Sequence, residues 1–305
     1  MLARWRGYSV RCATWQSAID SLIRRMRADG LTSSTIRHYR FGCRIVAERL
    51  VGIDSALVRP QDVKRVHVTA FLQQMRSTGL SVATMRDYLT CLRKLCSHCG
   101  NPVVDSIHPI WSQDLRQNVD WLSEEDAVSL LNSTMLTAKE RVIITLMLCM
   151  GLRRIEVIRL RLTDIHPDTI TVHGKGHGDG KLRTVPFHPR FKSALDGWMR
   201  VRADLLAGSG YRDDALIVYR QGRNLYGYSQ MGSAIDNLVR TATSRAGHQC
   251  SCHTLRRTFA RAMWHAGVPV ETIARILGHS NTVQTLRYIG ANLDDMTDAM
   301  QKLVF

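Results

Sequence analysis

The segment Gly30-Leu31-Thr32-Ser33-Ser34-Thr35-Ile36-Arg37-His38-Tyr39 returns 49 residues later as Gly79-Leu80-Ser81-Val82-Ala83-Thr84-Met85-Arg86-Asp87-Tyr88, with Arg44 matched by Arg93. This repeat constrains the fold because each copy carries its own helix stop and helix start. A glycine ends one helix, and the hydroxyl of Thr32 or Ser81 accepts a hydrogen bond from a free amide at the start of the next. Apolar residues behind each cap follow the helical period, so the first third is a set of helices joined by short turns. Arg37, Arg44, Arg86 and Arg93 fall on the polar sides. They suit either ordinary solvated faces or two similar cationic helices straddling a duplex.

The charge of the chain favours the second use. Against 26 acidic residues stand 42 basic ones, a formal net charge of +16 with a pI near 10.0. Residues 1–110 hold 17 Lys+Arg and 7 Asp+Glu, the remainder 25 and 19, so the excess is concentrated at the N-terminal end. Arginine supplies 35 of the cations, and its planar fork matches phosphate oxygens. Such a balance pulls toward polyanions, with double-stranded nucleic acid the expected partner.

At 305 residues and 45% hydrophobic content the chain has material for two ordinary cores. Helical rhythm fades at Asn101-Pro102 and again at His108-Pro109-Ile110, which predicts a helical domain over 1–108 and a linker over 109–121. A second domain, 122–305, opens at Ser123-Glu124-Glu125-Asp126, an N-cap followed by acids in the first turn. Val142 to Met150 is apolar all round and reads as a buried helix. Ile170–His173 and Leu182–Phe187 flank a glycine-rich loop and read as a hairpin. Helical patterns then return from about Phe191 and dominate to the end. The expected class is mainly α with a small antiparallel β-sheet.

The eight cysteines sit mostly within apolar or helical patterns. With no secretory signal and no apolar run of transmembrane length, a cytoplasmic protein with free thiols and no membrane partner is expected. Neither Cys96-Ser97-His98-Cys99 nor Cys250-Ser251-Cys252 has zinc-finger spacing. The acids at Asp213-Asp214 and Asp294-Asp295 fall in turn or capping contexts, so no metal centre is expected.

The chemistry concentrates in the second half. Gly151-Leu152-Arg153-Arg154-Ile155-Glu156, Gly174-Lys175-Gly176, His253-Thr254-Leu255-Arg256 and Leu277-Gly278-His279-Ser280 appear in that order, and Tyr288 follows His279 by nine residues. Cleavage of a phosphodiester builds charge on two non-bridging oxygens, which a forked arginine stabilises without losing its own proton. His253 and Arg256 are spaced i, i+3 on one face of a helix, in what reads as its first turn. His279 follows a helix end, placed to donate to a phosphate oxygen. Tyr288 can attack phosphorus once its proton is accepted, and His253 is a candidate acceptor. Arg154 reads as a surface cation, Glu156 as a support for Arg153 or for the fold, and Arg257 as a residue facing DNA or solvent.

This ordered set resembles the tyrosine recombinase (phage integrase) family, of the simple two-domain Xer or integrase type, with the match running from about Arg141 to Tyr288. The N-terminal part resembles the family's helical, SAM-like core-binding domain. The resemblance implies a site-specific recombinase that needs no cofactor and forms a covalent 3′-phosphotyrosine. Arg153, Lys175, His253, Arg256, His279 and Tyr288 would be its catalytic residues. It further implies Lys175 as general acid on the leaving 5′ oxygen, a homodimer on one site and a tetramer on two, and a C-terminal helix over 292–305 exchanged between subunits, where the apolar stripe of that helix by itself suits packing on its own domain as well. The loop after Lys175 is longer than the family's compact hairpin, which keeps Lys181 as the alternative acid. Two other readings share parts of the pattern. The stretch Val268 to Tyr288 has the rhythm of a helix-turn-helix regulator, which would need neither Lys175 nor Arg153. A type IB topoisomerase would use similar chemistry without assembling two sites.

Overall fold

The computed structural model describes residues 12–111, 120–174, 182–212, 214–221, 224–227, 234–290 and 300–301. The chain divides into two compact units, Met1–Gln117 and Asn118–Phe305.

The first unit is built from α1 (Trp15–Ala28), α2 (Ser33–Ile53), α3 (Arg65–Ser77) and α4 (Val82–His98). The repeat supplies both long helices. Thr32 Oγ1 accepts from the Thr35 amide and Ser81 Oγ from the Thr84 amide. Gly30 and Gly79 take the left-handed φ of 74° and 69° that ends the preceding helices. Residues at equivalent places in the repeat then meet. His38 Nε2 lies 3.0 Å from Asp87 Oδ1, and a Cβ at Gly42 would stand 2.5 Å from Cys91 Sγ. Both contacts advance by one turn together, so α2 and α4 run in the same direction, with Gly42 permitting their close approach. Arg37, Arg44 and Arg86 are exposed, with Arg44 beside Glu48 and Arg86 over the Trp111 ring. Arg93 differs from its repeat mate. Its guanidinium pairs with Asp105 and donates to the carbonyls of Val104 and Ile107, which ties α4 to the following turn. Cys96 and Cys99 are buried, and burial raises both thiols, Cys99 to about 12, as expected of packing groups.

The second unit is arranged around α6 (Ala138–Leu148), whose residues Val142 to Leu148 are at most 6% exposed. Burying each large aliphatic side chain there contributes about 1.5–3 kcal/mol. Thr137 and Glu140 form the capping box that starts this helix. Around it pack α5 (Glu124–Asn132, capped by Ser123), α7 (Arg154–Arg159), α8 (Pro189–Leu206), α9 (Ala234–Arg245) and α10 (Cys252–His265). Strands β1 (Thr169–His173) and β2 (Leu182–Pro186) pair antiparallel, Thr169 opposite Pro186 and His173 opposite Leu182. A second antiparallel pair, β3 (Val218–Gln221) with β4 (Asn224–Gly227), lies within the stretch where helical patterns dominate and adds to the one small sheet expected. Leu216, Ile217 and Val218 are fully or almost fully buried, and so short an apolar run carries no period to separate strand from helix. Two further helices are α11 (Val270–Leu277) and α12 (Thr282–Ile289). Phe259, Ile273, Leu277 and Ile289 form a satellite core joining them to α10. Among the described residues no helix is long and apolar enough to cross a membrane.

Candidate active site

The site is organised by the C-terminal end of α11. A helix leaves its last carbonyls without partners inside the helix. Here three successive ones are each taken by a different arginine. Arg183 Nε donates to Ile276 O at 2.7 Å, Arg256 Nη2 to Leu277 O at 2.6 Å, and Arg153 Nη2 to Gly278 O at 3.1 Å. Gly278 is left-handed (φ 64°), and the His279 amide reaches back to Ala274 O. That Schellman closure fixes where His279 leaves the helix.

Beneath the arginines lies Glu156, 0% exposed. It accepts from the Arg153 backbone N–H (2.7 Å) and from Arg153 Nη1 (2.8 Å). Arg183 fills the rest with a fork, Nη1 to Oε1 at 2.9 Å and Nη2 to Oε2 at 2.8 Å. Arg256 Nη1 stands farther off, 3.7 Å from Oε2. Burial pushes this carboxyl up, but the hydrogen bonds and charge of Arg183, the charge of Arg256 and the Arg153 amide together hold it below the ordinary range. Arg256 is itself 1% exposed. Burial, then the neighbouring Arg153, pushes it down to about 9, which leaves it protonated at neutral pH. The spacing expectation put Arg256 in the first turn of α10. It lies one turn deeper, beyond the free amides, and its charge is met by carbonyls and Glu156 instead of the helix terminus.

Gly151 explains why this packing has room. Its φ is +65°, and a Cβ there would stand 2.5 Å from the Phe259 ring, while its carbonyl accepts from Arg256 Nη1. Gly151→Ala is expected to lower stability by roughly 3 kcal/mol, combining left-handed strain with overpacking. Urea unfolding checks this, and a change below about 1 kcal/mol would contradict the account.

His279 is wedged between this cradle and α12. Its Nδ1 lies 2.8 Å from Oγ1 of the fully buried Thr285, and its Nε2 lies 3.3 Å from Arg256 Nη2. Because an arginine can only donate, Nε2 accepts and the ring proton sits on Nδ1, facing Thr285. Burial, then the charges of Arg256, Arg153 and Arg183, lowers the ring to about 4. The ring is therefore neutral at pH 7, and its Nε2 accepts where the sequence suggested a donor. An unfolded histidine titrates near 6.5, so the unfolded chain takes up this proton first as the pH falls. The contribution of His279 to stability is complete above about pH 6.5 and is lost as the pH falls toward 4. Denaturation at pH 7 and pH 5 should show a smaller loss for His279→Asn than for the natural chain. Equal losses would contradict the assignment.

Tyr288 completes the group. The apolar anchor of α12 is Ile289, 0% exposed, and the half-buried Tyr288 beside it packs on the same satellite core. The tyrosine Oη lies 3.0 Å from His253 Nδ1. Its ring lies 5.0 Å from the His279 ring, with the Arg256 and Arg257 guanidinium carbons 5.8 and 5.7 Å from its centroid. The structure thus brings Arg153, Glu156, His253, Arg256, Arg257, His279 and Tyr288 into one cluster. Arg154 instead pairs with Asp236 away from the cradle. Lys175 and Lys181 lie outside the described residues, as does the span expected as an exchange helix, apart from the exposed Met300 and the adjacent Gln301. Sequence reasoning missed Arg183 and Thr285. Arg183 had a legible signal: on a strand it shares a face with Val185, which is 2% exposed, and a cation on a buried face needs a partner.

A cavity of about 840 Å³ lined by Asp120, Arg240, Arg245 and Ser251 contains none of the clustered residues. The cluster is a set of convergent side chains, suited to one phosphate of a polymer. The helix-turn-helix rhythm is real at the level of α11 and α12, but these helices carry His279 and Tyr288 to the arginines.

Comparison with known proteins identifies the family and the fold. The phage integrase family matches residues 120–294. The chain is 25% identical over 294 residues to the tyrosine recombinase XerD of Oceanobacillus iheyensis, covering 92% of this chain and 96% of that one. It is 30% identical over 264 residues to the tyrosine recombinase XerC of Caldanaerobacter subterraneus subsp. tengcongensis, covering 82% and 70%. Its fold is that of the XerH site-specific recombinase solved with palindromic difH substrate (TM-score 0.69, 18% identity, 95% and 85% covered). The lambda integrase fragment solved as a dimer on a COC′ core site is also similar (TM-score 0.67, 16% identity, 90% and 95% covered). With its second unit matched almost end to end, this chain belongs to the phage integrase family of tyrosine site-specific recombinases, enzymes that break and rejoin DNA.

Proposed function

We propose that the protein recombines duplex DNA at specific sites through a covalent link between Tyr288 and a 3′ phosphate. The observation that carries this reading is the convergence of Tyr288 Oη, His253 and His279 on the arginine cradle of Arg153 and Arg256. The Tyr288 hydroxyl gives its proton to His253 and its oxygen bonds to phosphorus. The P–O5′ bond breaks, and the departing oxygen takes a proton from Lys175, the general acid assigned by family resemblance, with Lys181 as alternative. Arg153 and Arg256 stabilise the charge that develops on the non-bridging oxygens. Rejoining runs the same steps backward with a new 5′ hydroxyl, so the bond energy is kept and no cofactor is consumed.

In this reading the helical domain over 1–108, the linker over 109–121 and the catalytic domain over 122–305 together clamp the duplex. Arg37, Arg44 and Arg86 contact its backbone, as does Arg257; Arg93 would act mainly through the scaffold contacts described above. Two protomers occupy one site and four form the synapse, joined through the segment 292–305, in the cytoplasm. The test uses nicked suicide substrates carrying candidate sites, incubated with EDTA, followed by mapping of any covalent adduct. An adduct at Tyr288 is expected. A different attached residue, or cleavage abolished by EDTA, would overturn the proposal.

A further inference from the structure

Arg183 stands in the cradle without a part in the chemistry above, yet it makes more of the contacts to Glu156 than its position on a hairpin strand requires. Its fork fills one lone-pair site on each carboxylate oxygen, and Arg153 fills one more on each through its amide and Nη1. Arg256 is thereby left 3.7 Å from Oε2, too far for a hydrogen bond, and its buried Nε has no hydrogen-bond partner among the described residues. We infer that Arg183 is a positioning residue: by saturating Glu156 it prevents that acid from capturing Arg256 and holds the guanidinium on Gly151, Leu277 and His279, the orientation in which it meets the scissile phosphate. The inference rests on the recombinase reading, in which Arg256 touches the phosphate.

The physical case is one of competition for a single donor. Glu156 is fully buried, so the lone-pair sites that Arg183 would vacate cannot turn to water and will draw a further cation beside the Arg153 already bonded there. The nearest arginine not yet bonded to it is Arg256, 3.7 Å away, which needs to move about 1 Å to form an ordinary charged bond of ~2.8 Å. That bond would aim the guanidinium at the protein's own carboxylate. Arg183 is well held for its task. Its side chain is 12% exposed, its Nε is fixed on Ile276 O, and Gly278 leaves it room, since a Cβ there would stand 3.0 Å from its Nη1. A lysine in its place keeps the charge but offers no planar fork, so it cannot cover both oxygens.

The test compares the natural chain with Arg183→Met, Arg183→Lys, Glu156→Gln and the double variant Glu156→Gln/Arg183→Met. Single-turnover cleavage of the suicide substrate and DNA affinity are both measured. Arg183→Met should cut cleavage by about 100-fold, the scale of a lost transition-state donor, with affinity little changed. Arg183→Lys should fall between. In the double variant the neutral amide no longer attracts Arg256, so cleavage should recover by roughly 10-fold over Arg183→Met, a coupling of opposite sign to two independent losses. If Arg183 only holds the fold together, the double variant will cleave no better than Arg183→Met, and the inference fails. Should Arg183→Met not fold, the same comparison is made with Glu156→Gln/Arg183→Lys against Arg183→Lys, with the same two outcomes. The natural chain serves as the control for the underlying reading. If it forms no adduct at Tyr288 the recombinase chemistry is wrong, whereas an adduct without recovery in the double variant rejects only the role of Arg183.

Discussion

Tyr288→Phe is expected to bind its DNA with the affinity of the natural chain and to form no covalent adduct on any suicide substrate. The substitution removes one oxygen and keeps the ring. The ring packs against His279 and lies beside the guanidinium groups of Arg256 and Arg257, and those contacts survive. What is lost is the hydrogen bond to His253 and the nucleophile itself. A half-exposed hydrogen bond contributes about 1 kcal/mol, so the melting temperature should move little. The informative comparison is adduct yield against affinity in the same preparation. If Tyr288→Phe still yields an adduct, another residue is the nucleophile. If affinity collapses together with cleavage, the tyrosine is a binding residue and the assigned chemistry is wrong.

The largest effect on stability is expected from Glu156→Ala. The acid lies wholly inside the protein and is the counter-charge for Arg153, Arg183 and Arg256 at once. Removing one partner of a buried ionic cluster leaves the others desolvated and mutually repelling, a cost of about 3–5 kcal/mol. Glu156→Gln keeps the shape and some hydrogen bonds and should cost less. The pH dependence has a defined sign. The folded carboxyl titrates below its ordinary range, so its contribution is present above the unfolded value near 4.3 and is lost as the pH falls through the folded one. The gap between the natural chain and Glu156→Gln in urea unfolding should therefore narrow in acid. A Glu156→Ala protein as stable as the natural chain would mean the three arginines find other anions and Glu156 is dispensable.

Much of this molecule is legible before folding because its signals are local. Thr32, Ser81 and Ser123 each cap the helix their position announces, since a cap is decided within three residues of chain. The all-apolar stretch of α6 is buried because nothing on it prefers water. The β3–β4 pair escaped notice because a buried run of three or four residues has no period, and only its pairing partner makes it a strand.

The helical class, the capped repeat and the ordered presence of Arg153, Glu156, His253, Arg256, His279 and Tyr288 are all written in the linear chain. These follow from residue type and short spacing, which no tertiary contact alters. How those residues bear on one another is settled by folding alone. Arg153 and Gly278 are 125 residues apart in the chain yet hydrogen-bonded, and Glu156 is joined by Arg183 from a strand 27 residues on. The depressed titration of His279 likewise belongs to no local motif, because it comes from burial and from three arginines contributed by three different elements. Charge interactions in a dry interior depend on distance through space, and distance through space is the one quantity a linear reading does not contain.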